Sequence, residues 1–258
     1  IRLSLVGSEM CIRDSRDCLN HGDVVRQIYE IPIESHRNKR KNWMGVFSRY
    51  PVGILSSAVE MLEMFVGLLK RLRAIADEHA PEVQGYAPGV QGYAQQFESA
   101  GFRRFFAMIR QELDDDYFAV VDGHLDELRF RDGVLLSAEL GRGNEGDNYV
   151  LRRAGEKQPH WMVRALTSRS RAYSFRIHPR DAHGARAIGE IRDRGINLVA
   201  NAVAQSADHI DDFFNMLWLE LAFYIGCMNL AERLAELREP VSFPQLADPG
   251  ERRHAFTG

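Results

Sequence analysis

The chain has 258 residues, with 33 Lys and Arg against 36 Asp and Glu, and 45% of its residues are hydrophobic. That apolar fraction excludes a wholly disordered chain, and the net charge of −3 excludes a protein that coats nucleic acid with its entire surface, so any basic site must be local. Three Cys without a CxxC pair exclude a disulfide scaffold and the common zinc frameworks, suit a reducing compartment, and make a cytoplasmic protein the expectation.

Residues 1–15 carry neither a signal-peptide pattern nor an initiator Met. The codons CTC GTG GGC TCG GAG ATG TGT ATA AGA GAC would give the run from Leu5 to Asp14, and that string resembles a transposase-type sequencing adaptor. Residues 1–15 are therefore read as a translated adaptor read-through. Resequencing the genomic locus tests this; those codons in the chromosome would refute it.

Residues 16–128 read as helical. The stretch from Asp17 to Glu34 is mixed, with a helix expected around Val24 to Tyr29. The basic cluster from Arg37 to Lys41 is expected to be a solvated helix face or turn rather than a nucleic-acid patch. Over 52–79, Leu55, Ala58, Val59, Leu62, Phe65, Val66, Leu69, Leu72 and Ala76 step by three and four, which is one helical stripe between Pro51 and Pro81. A tandem duplication follows at 83–96, built on Val83-Gln84-Gly85-Tyr86-Ala87 and Val90-Gln91-Gly92-Tyr93-Ala94, and is read as a tolerated loop insertion. Phe102, Phe105, Phe106, Ile109 and Leu113 make a second stripe, and Phe118, Val121, Leu125 and Leu128 a third. Asp114-Asp115-Asp116 lies between them. Consecutive helical residues point about 100° apart and cannot converge on one ion, so a helix junction capped by Asp is expected.

The period then changes. The runs 134–140, 148–151, 160–166 and 172–177 are short, apolar and separated by turn residues, which predicts four antiparallel strands within an insert at 129–180. From Gly184 to Glu239 there is no Pro, and helical spacing returns, as one very long helix or two broken at Gly195-Ile196-Asn197. The apolar part from Phe213 to Leu230 contains Asn215, Glu220 and Asn229 and is expected to be a buried helix of a soluble protein rather than a membrane span. The fold class expected is mainly α with a small antiparallel β insert. Its simplest form is a long antiparallel helical stalk carrying a four-strand head, with 181–239 as the returning helices and 240–258 as a linker.

The motifs for catalysis are weak. Gly141-Arg142-Gly143-Asn144-Glu145-Gly146 matches the dinucleotide fingerprint, but a strand rather than a helix follows it, so a glycine-rich hairpin turn is expected. None of Lys39, Lys41, Lys70 and Lys157 follows a Gly, so no phosphate loop is present. His178-Pro179-Arg180-Asp181 with His183 reads as a strand-to-helix junction with Asp181 as N-cap rather than a metal site. No nucleophile motif occurs, and no catalytic residue, cofactor or metal is expected in this chain. The charge signal is stronger. From Leu151 to Arg194 eleven basic residues face four acidic ones, +7 in a chain of net −3. That suits a phosphate backbone, or else records an Arg-rich solvated surface.

Several runs carry a family resemblance. His124-Leu125-Asp126-Glu127-Leu128-Arg129 resembles the segment before the clamp of MutS-type DNA mismatch repair proteins. The run from Ser137 to Asn144, Tyr149-Val150-Leu151-Arg152, the run from Phe175 to Asp181 and the run from Arg192 to Ala202 are similar to a MutS-related subgroup. The run from Glu220 to Cys227 resembles that family's last lever helix before its ATPase domain. The resemblance covers roughly 17–258 and implies a lever and clamp, with the insert gripping double-stranded DNA and the helices relaying ATP state. On that reading Arg142, Arg152, Arg153, Lys157, Arg164, Arg169 and Arg171 are the DNA-backbone residues. ATP and Mg would belong to an ATPase domain outside these residues, the complete protein would be a homodimer, and no membrane is involved. The mismatch-reading Phe-x-Glu and the Walker motifs are absent, so this chain is expected neither to recognise a mispair nor to hydrolyse ATP. The alternative is a helical scaffold whose β insert binds a protein.

Overall fold

The computed structural model describes residues 8–41, 50–79, 97–153 and 174–242. Of these, 77% are helical, and the rest includes one small antiparallel sheet. The elements are α1 (Ser8–Asn20), α2 (Gly22–Lys41), α3 (Pro51–His79), α4 (Ala100–Glu112), α5 (Asp115–Leu128), β1 (Leu135–Leu140), β2 (Gly146–Arg152) and α6 (Ala182–Glu236). They divide into two units. Unit 1 comprises Ile1–Arg40, Met64–Val120 and Ile210–Gly258; unit 2 comprises Lys41–Glu63 and Val121–His209. Helices α3, α5 and α6 each contribute residues to both.

Unit 1 is an all-helical core. Phe65, Leu69 and Leu72 of α3, Phe102, Phe105, Phe106 and Ile109 of α4, and Phe214, Leu217, Leu221 and Tyr224 of α6 are buried. Full burial of side chains this size stabilises by about 1.5–3 kcal/mol each. The helix ends are chemically closed. Ser99 caps α4 by accepting from the Phe102 N–H at 3.3 Å, and Asp114 caps α5 by accepting from the Tyr117 N–H at 2.7 Å. The Asp triplet is thus a capped junction. At the other end of α4, the Arg73 guanidinium donates to the carbonyls of Arg110 at 3.0 Å and Leu113 at 2.6 Å, groups that the helix itself leaves unpaired. Helix formation in 8–41 is more extensive than the short helix expected around Val24 to Tyr29. Val25, Ile28, Ile31, Pro32 and Ser35 form one buried stripe, and α2 continues through Pro32 because that stripe is packed.

Unit 2 buries Leu55, Ala58, Val59 and Leu62 of α3, Leu125 of α5, and Ile196, Ala200 and Ala207 of α6. One expectation is corrected here, and one pair of alternatives is resolved. First, the four-strand head is a two-strand sheet among the described residues. The run 160–166 lies outside them, as does the tandem duplication at 83–96. Residues 174–177 are neither helix nor strand and enter no ladder among the described residues. Alternation there is a pattern of side chains only; a strand also needs a partner for its N–H and C=O groups. Second, α6 does not break at Gly195. A Cβ at Gly195 would lie 2.4 Å from Leu136 Cδ2, so this glycine serves close approach of the hairpin to an unbroken helix.

By length and composition alone, α3 and α6 are each apolar enough to cross a membrane. Within unit 1, the segment from Phe213 to Leu230 buries one apolar face and leaves the other exposed.

Candidate nucleic-acid interface

Of the residues singled out from charge, the described ones lie in unit 2, on or beside the β1–β2 hairpin and around the start of α6. The hairpin pairs Leu135 with Arg152, Leu136 with Leu151 and Ser137 with Val150, then slips by one residue before Glu139 pairs with Asp147. Asn148 absorbs the bulge at φ 49°, and its side chain donates to Glu139 Oε2 at 2.8 Å. The turn closes through Arg142–Asn144, with Gly143 at φ 78° and the Gly141 N–H donating to the Glu145 carbonyl at 2.8 Å. The G-x-G-x-x-G match is therefore a hairpin turn, as its following strand implied.

Alternation assigns the faces. Leu136, which packs on Gly195, shares its face with Leu151; Leu135, Ser137, Val150 and Arg152 share the other. Arg152 is the last residue of β2, and its Nε donates to Ser137 Oγ at 2.8 Å, which lays the guanidinium along that outer face. Arg153 follows the strand, is exposed, and pairs with Glu127 of α5. Arg142 is exposed at the turn, so β2 separates it from Arg152 by about 20 Å. The structure thus brings Arg152 and Arg153 together and leaves Arg142 apart. Lys157, Arg164, Arg169 and Arg171 lie outside the described residues. Within 129–153 five Arg meet four carboxylates, Asp132, Glu139, Glu145 and Asp147, so the hairpin alone is not strongly basic.

The start of α6 adds cations. Asp181 caps it, accepting from the Gly184 N–H at 2.9 Å, as its place at the junction implied. The His178 ring Nδ1 accepts from the Arg180 N–H at 3.2 Å, a turn-closing role. Arg176, Arg180, Arg186, Arg192 and Arg194 are all exposed. Arg186 and Arg194 share a helix face with Glu190 between them. The charge count included these five; their clustering at one helix start is what the sequence reading did not single out.

A groove of about 1080 Å³ lies beside them in unit 2. Leu55, Val59, Leu128, Leu136 and Ile188 line it, with Arg192 and the Glu63–Arg129 ion pair among its polar groups. No group of three His, Cys, Asp or Glu among the described residues is placed to hold a metal.

No curated protein and no solved structure matches the chain. A protein-family model does: residues 15–237 match the MutS2 N-terminal domain. The mainly helical chain with its small two-strand sheet therefore belongs to the MutS2 N-terminal domain family.

Proposed function

We propose that this chain is the DNA-gripping core of a MutS-like, ATP-dependent DNA mismatch repair or damage-sensing protein. In this reading the insert at 129–180 is the clamp, the helices before and after it are levers, and the contacts go to the duplex backbone without reading sequence. The observation that carries it is the charge segregation: +7 over 151–194 in a chain of net −3. Arg152, Arg153, Arg176, Arg180 and Arg186 are exposed in that stretch, and they suit phosphate because guanidinium offers a planar fork of donors. Arg142, Lys157, Arg164, Arg169 and Arg171 complete the proposed set. ATP and Mg would act in the complete protein on residues other than these, since no Lys here follows a Gly. The complete protein is proposed to be a cytoplasmic homodimer, without membrane attachment.

The test is fluorescence anisotropy with a duplex oligonucleotide across a salt series. Binding should be weak, indifferent to sequence and mispairs, and steeply weakened by salt. Arg169→Ala/Arg171→Ala should lower the slope of log affinity against log salt by about 2, at about 0.9 per phosphate contact. An unchanged slope removes that pair from the interface. No binding by the wild type at low salt refutes DNA gripping by this chain.

One observation favours a second reading, a protein-binding scaffold. Leu135 and Val150, on the hairpin's outer face, are 50% and 47% exposed, and the hairpin's charges nearly balance. Salt-insensitive capture of a protein by that face, lost in Val150→Glu, would support it.

A further inference from the structure

Three arginines stand where the chain enters and leaves the β1–β2 hairpin, and each is held by a carboxylate of a helix within unit 2. Arg129, just past the end of α5, pairs with Glu63 of α3. Arg131 pairs with Asp126 of α5 at 3.4 Å, and Arg153, just past β2, pairs with Glu127 of α5. These two α5 acids are poorly placed for their own helix. The helix ends at Leu128, so Asp126 and Glu127 lie in its last turn, which carries no basic residue. That end of a helix bears its partial negative charge, and a carboxylate there is unfavourable. Local helix chemistry therefore does not account for Asp126 and Glu127, whereas the arginines opposite them do. Neither of the α5 pairs is sealed from water. The side chains of Arg153 and Arg131 are 78% and 66% exposed, and those of Glu127 and Asp126 are 47% and 71% exposed. Ion pairs this exposed are weak and screened by salt, so a denser anion can take the arginine from its carboxylate. A duplex backbone is such an anion. It carries one charge per about 1.7 Å of axis, and its phosphate oxygens accept both prongs of a guanidinium.

We propose that Glu63, Asp126 and Glu127 form a competing acidic collar, which holds Arg129, Arg131 and Arg153 in the unbound protein and yields them to a polyanionic backbone. The inference rests on the DNA-gripping reading and deepens it. Arg129 and Arg131 join the contacting set, and the three carboxylates act against binding. Association exchanges three internal ion pairs for arginine–phosphate contacts and leaves three carboxylates facing the phosphates. The collar therefore subtracts from affinity. A sparse anion cannot offer the exchange, so the collar reserves these arginines for a dense one.

Fluorescence anisotropy of the full chain with a duplex oligonucleotide at low salt tests it. Glu127→Gln should tighten binding by about 3-fold, and Glu63→Gln/Asp126→Asn/Glu127→Gln by about 10-fold or more. Both gains should shrink as added salt screens the pairs. Removing any carboxylate also makes the chain less negative, so two controls isolate the pairing. Asp132→Asn makes the same change of charge outside the three pairs and should tighten binding by no more than about 1.5-fold. In an Arg153→Gln chain, Glu127→Gln should lose its effect, because the arginine it would free is gone. Weaker binding by Glu127→Gln would make Glu127 a positioning residue for Arg153 and overturn the proposal. A gain that persists without Arg153 would be long-range charge alone and would overturn it too. Heparin, a polyanion that is not a nucleic acid, separates the collar from the DNA reading. The triple variant should elute from a heparin column at higher salt than the wild type. If neither protein binds duplex but that shift is present, DNA gripping fails and the collar stands; without the shift the collar fails.

Discussion

Gly189 and Gly195 lie six residues apart in α6, and the structure predicts opposite outcomes for the same substitution. Alanine inside a helix gains about 0.8–1.0 kcal/mol over glycine where there is room for it. At Gly189 nothing lies within 4 Å of the added Cβ, so Gly189→Ala should stabilise by close to that amount. At Gly195 the Cβ would lie 2.4 Å from Leu136 Cδ2, 2.7 Å from Cδ1 and 3.1 Å from Cγ. Carbon atoms prefer about 3.5–4.0 Å, so Leu136 must leave its rotamer or the hairpin must lift, at about 1–3 kcal/mol. The net effect of Gly195→Ala is between neutral and about 2 kcal/mol destabilising, and the two variants should differ by about 1–3 kcal/mol. Urea unfolding followed by circular dichroism measures this. Leu136→Ala supplies the control: in that background the clash is gone, and adding Gly195→Ala should stabilise by about 1 kcal/mol. If Gly195→Ala stabilises as much as Gly189→Ala with Leu136 intact, the hairpin does not rest on Gly195 and the packing argument fails.

Arg73→Met keeps the aliphatic stem but leaves the carbonyls of Arg110 and Leu113 without their donor and breaks the 2.7 Å contact to Asp77; it should cost about 1–3 kcal/mol in the urea midpoint. By contrast, Lys70→Met, which removes an ammonium 5.3 Å from the Phe118 ring centroid, should cost less than about 1 kcal/mol, and equal losses would show that Arg73 is not acting as a cap. Burial pushes the Asp14 carboxyl above its ordinary 3.8, with the nearby Asp17 carboxylate adding to the rise and hydrogen bonds from Ser99 and from the Tyr224 hydroxyl, 3.4 Å away, opposing it. The native state therefore keeps this proton after the unfolded chain has released it, so stability falls as pH rises from the ordinary carboxylate range through the raised native value. Asp14→Asn should stabilise the protein at neutral pH, with the gain shrinking as pH falls toward the ordinary value; a gain independent of pH would refute the ionisation argument.

Helices that pack by their own stripe were legible. The spacing from Leu55 to Ala76 yields α3 with Pro51 as its first residue, and the Phe102 to Leu113 spacing yields α4. Short polar signals were legible for the same local reason, because a cap needs only its own first turn: Asp114 and Asp181 both do what their positions imply. The reading shortened α2, where Pro32 interrupts the local preference and only burial of Val25, Ile28 and Ile31 restores the helix. It also overextended the sheet, since alternation over 174–177 states nothing about a ladder partner.

The candidate interface was legible as a quantity of charge before it was legible as a place. Counting finds +7 over 151–194, but a count cannot register that Arg153 already pairs with Glu127, or that Arg152 is held by Ser137. Each such partner comes from a residue more than a dozen positions away. The glycines of α6 make the same point more sharply. Gly189, Gly195 and Gly226 look alike in a helical sequence, and spacing alone allows a break at Gly195. Only the tertiary neighbour sets one apart: Leu136 at Gly195, against open space at Gly189 and Gly226 among the described residues. Helical spacing cannot make that distinction, because it fixes which residues share a face and not what the face meets.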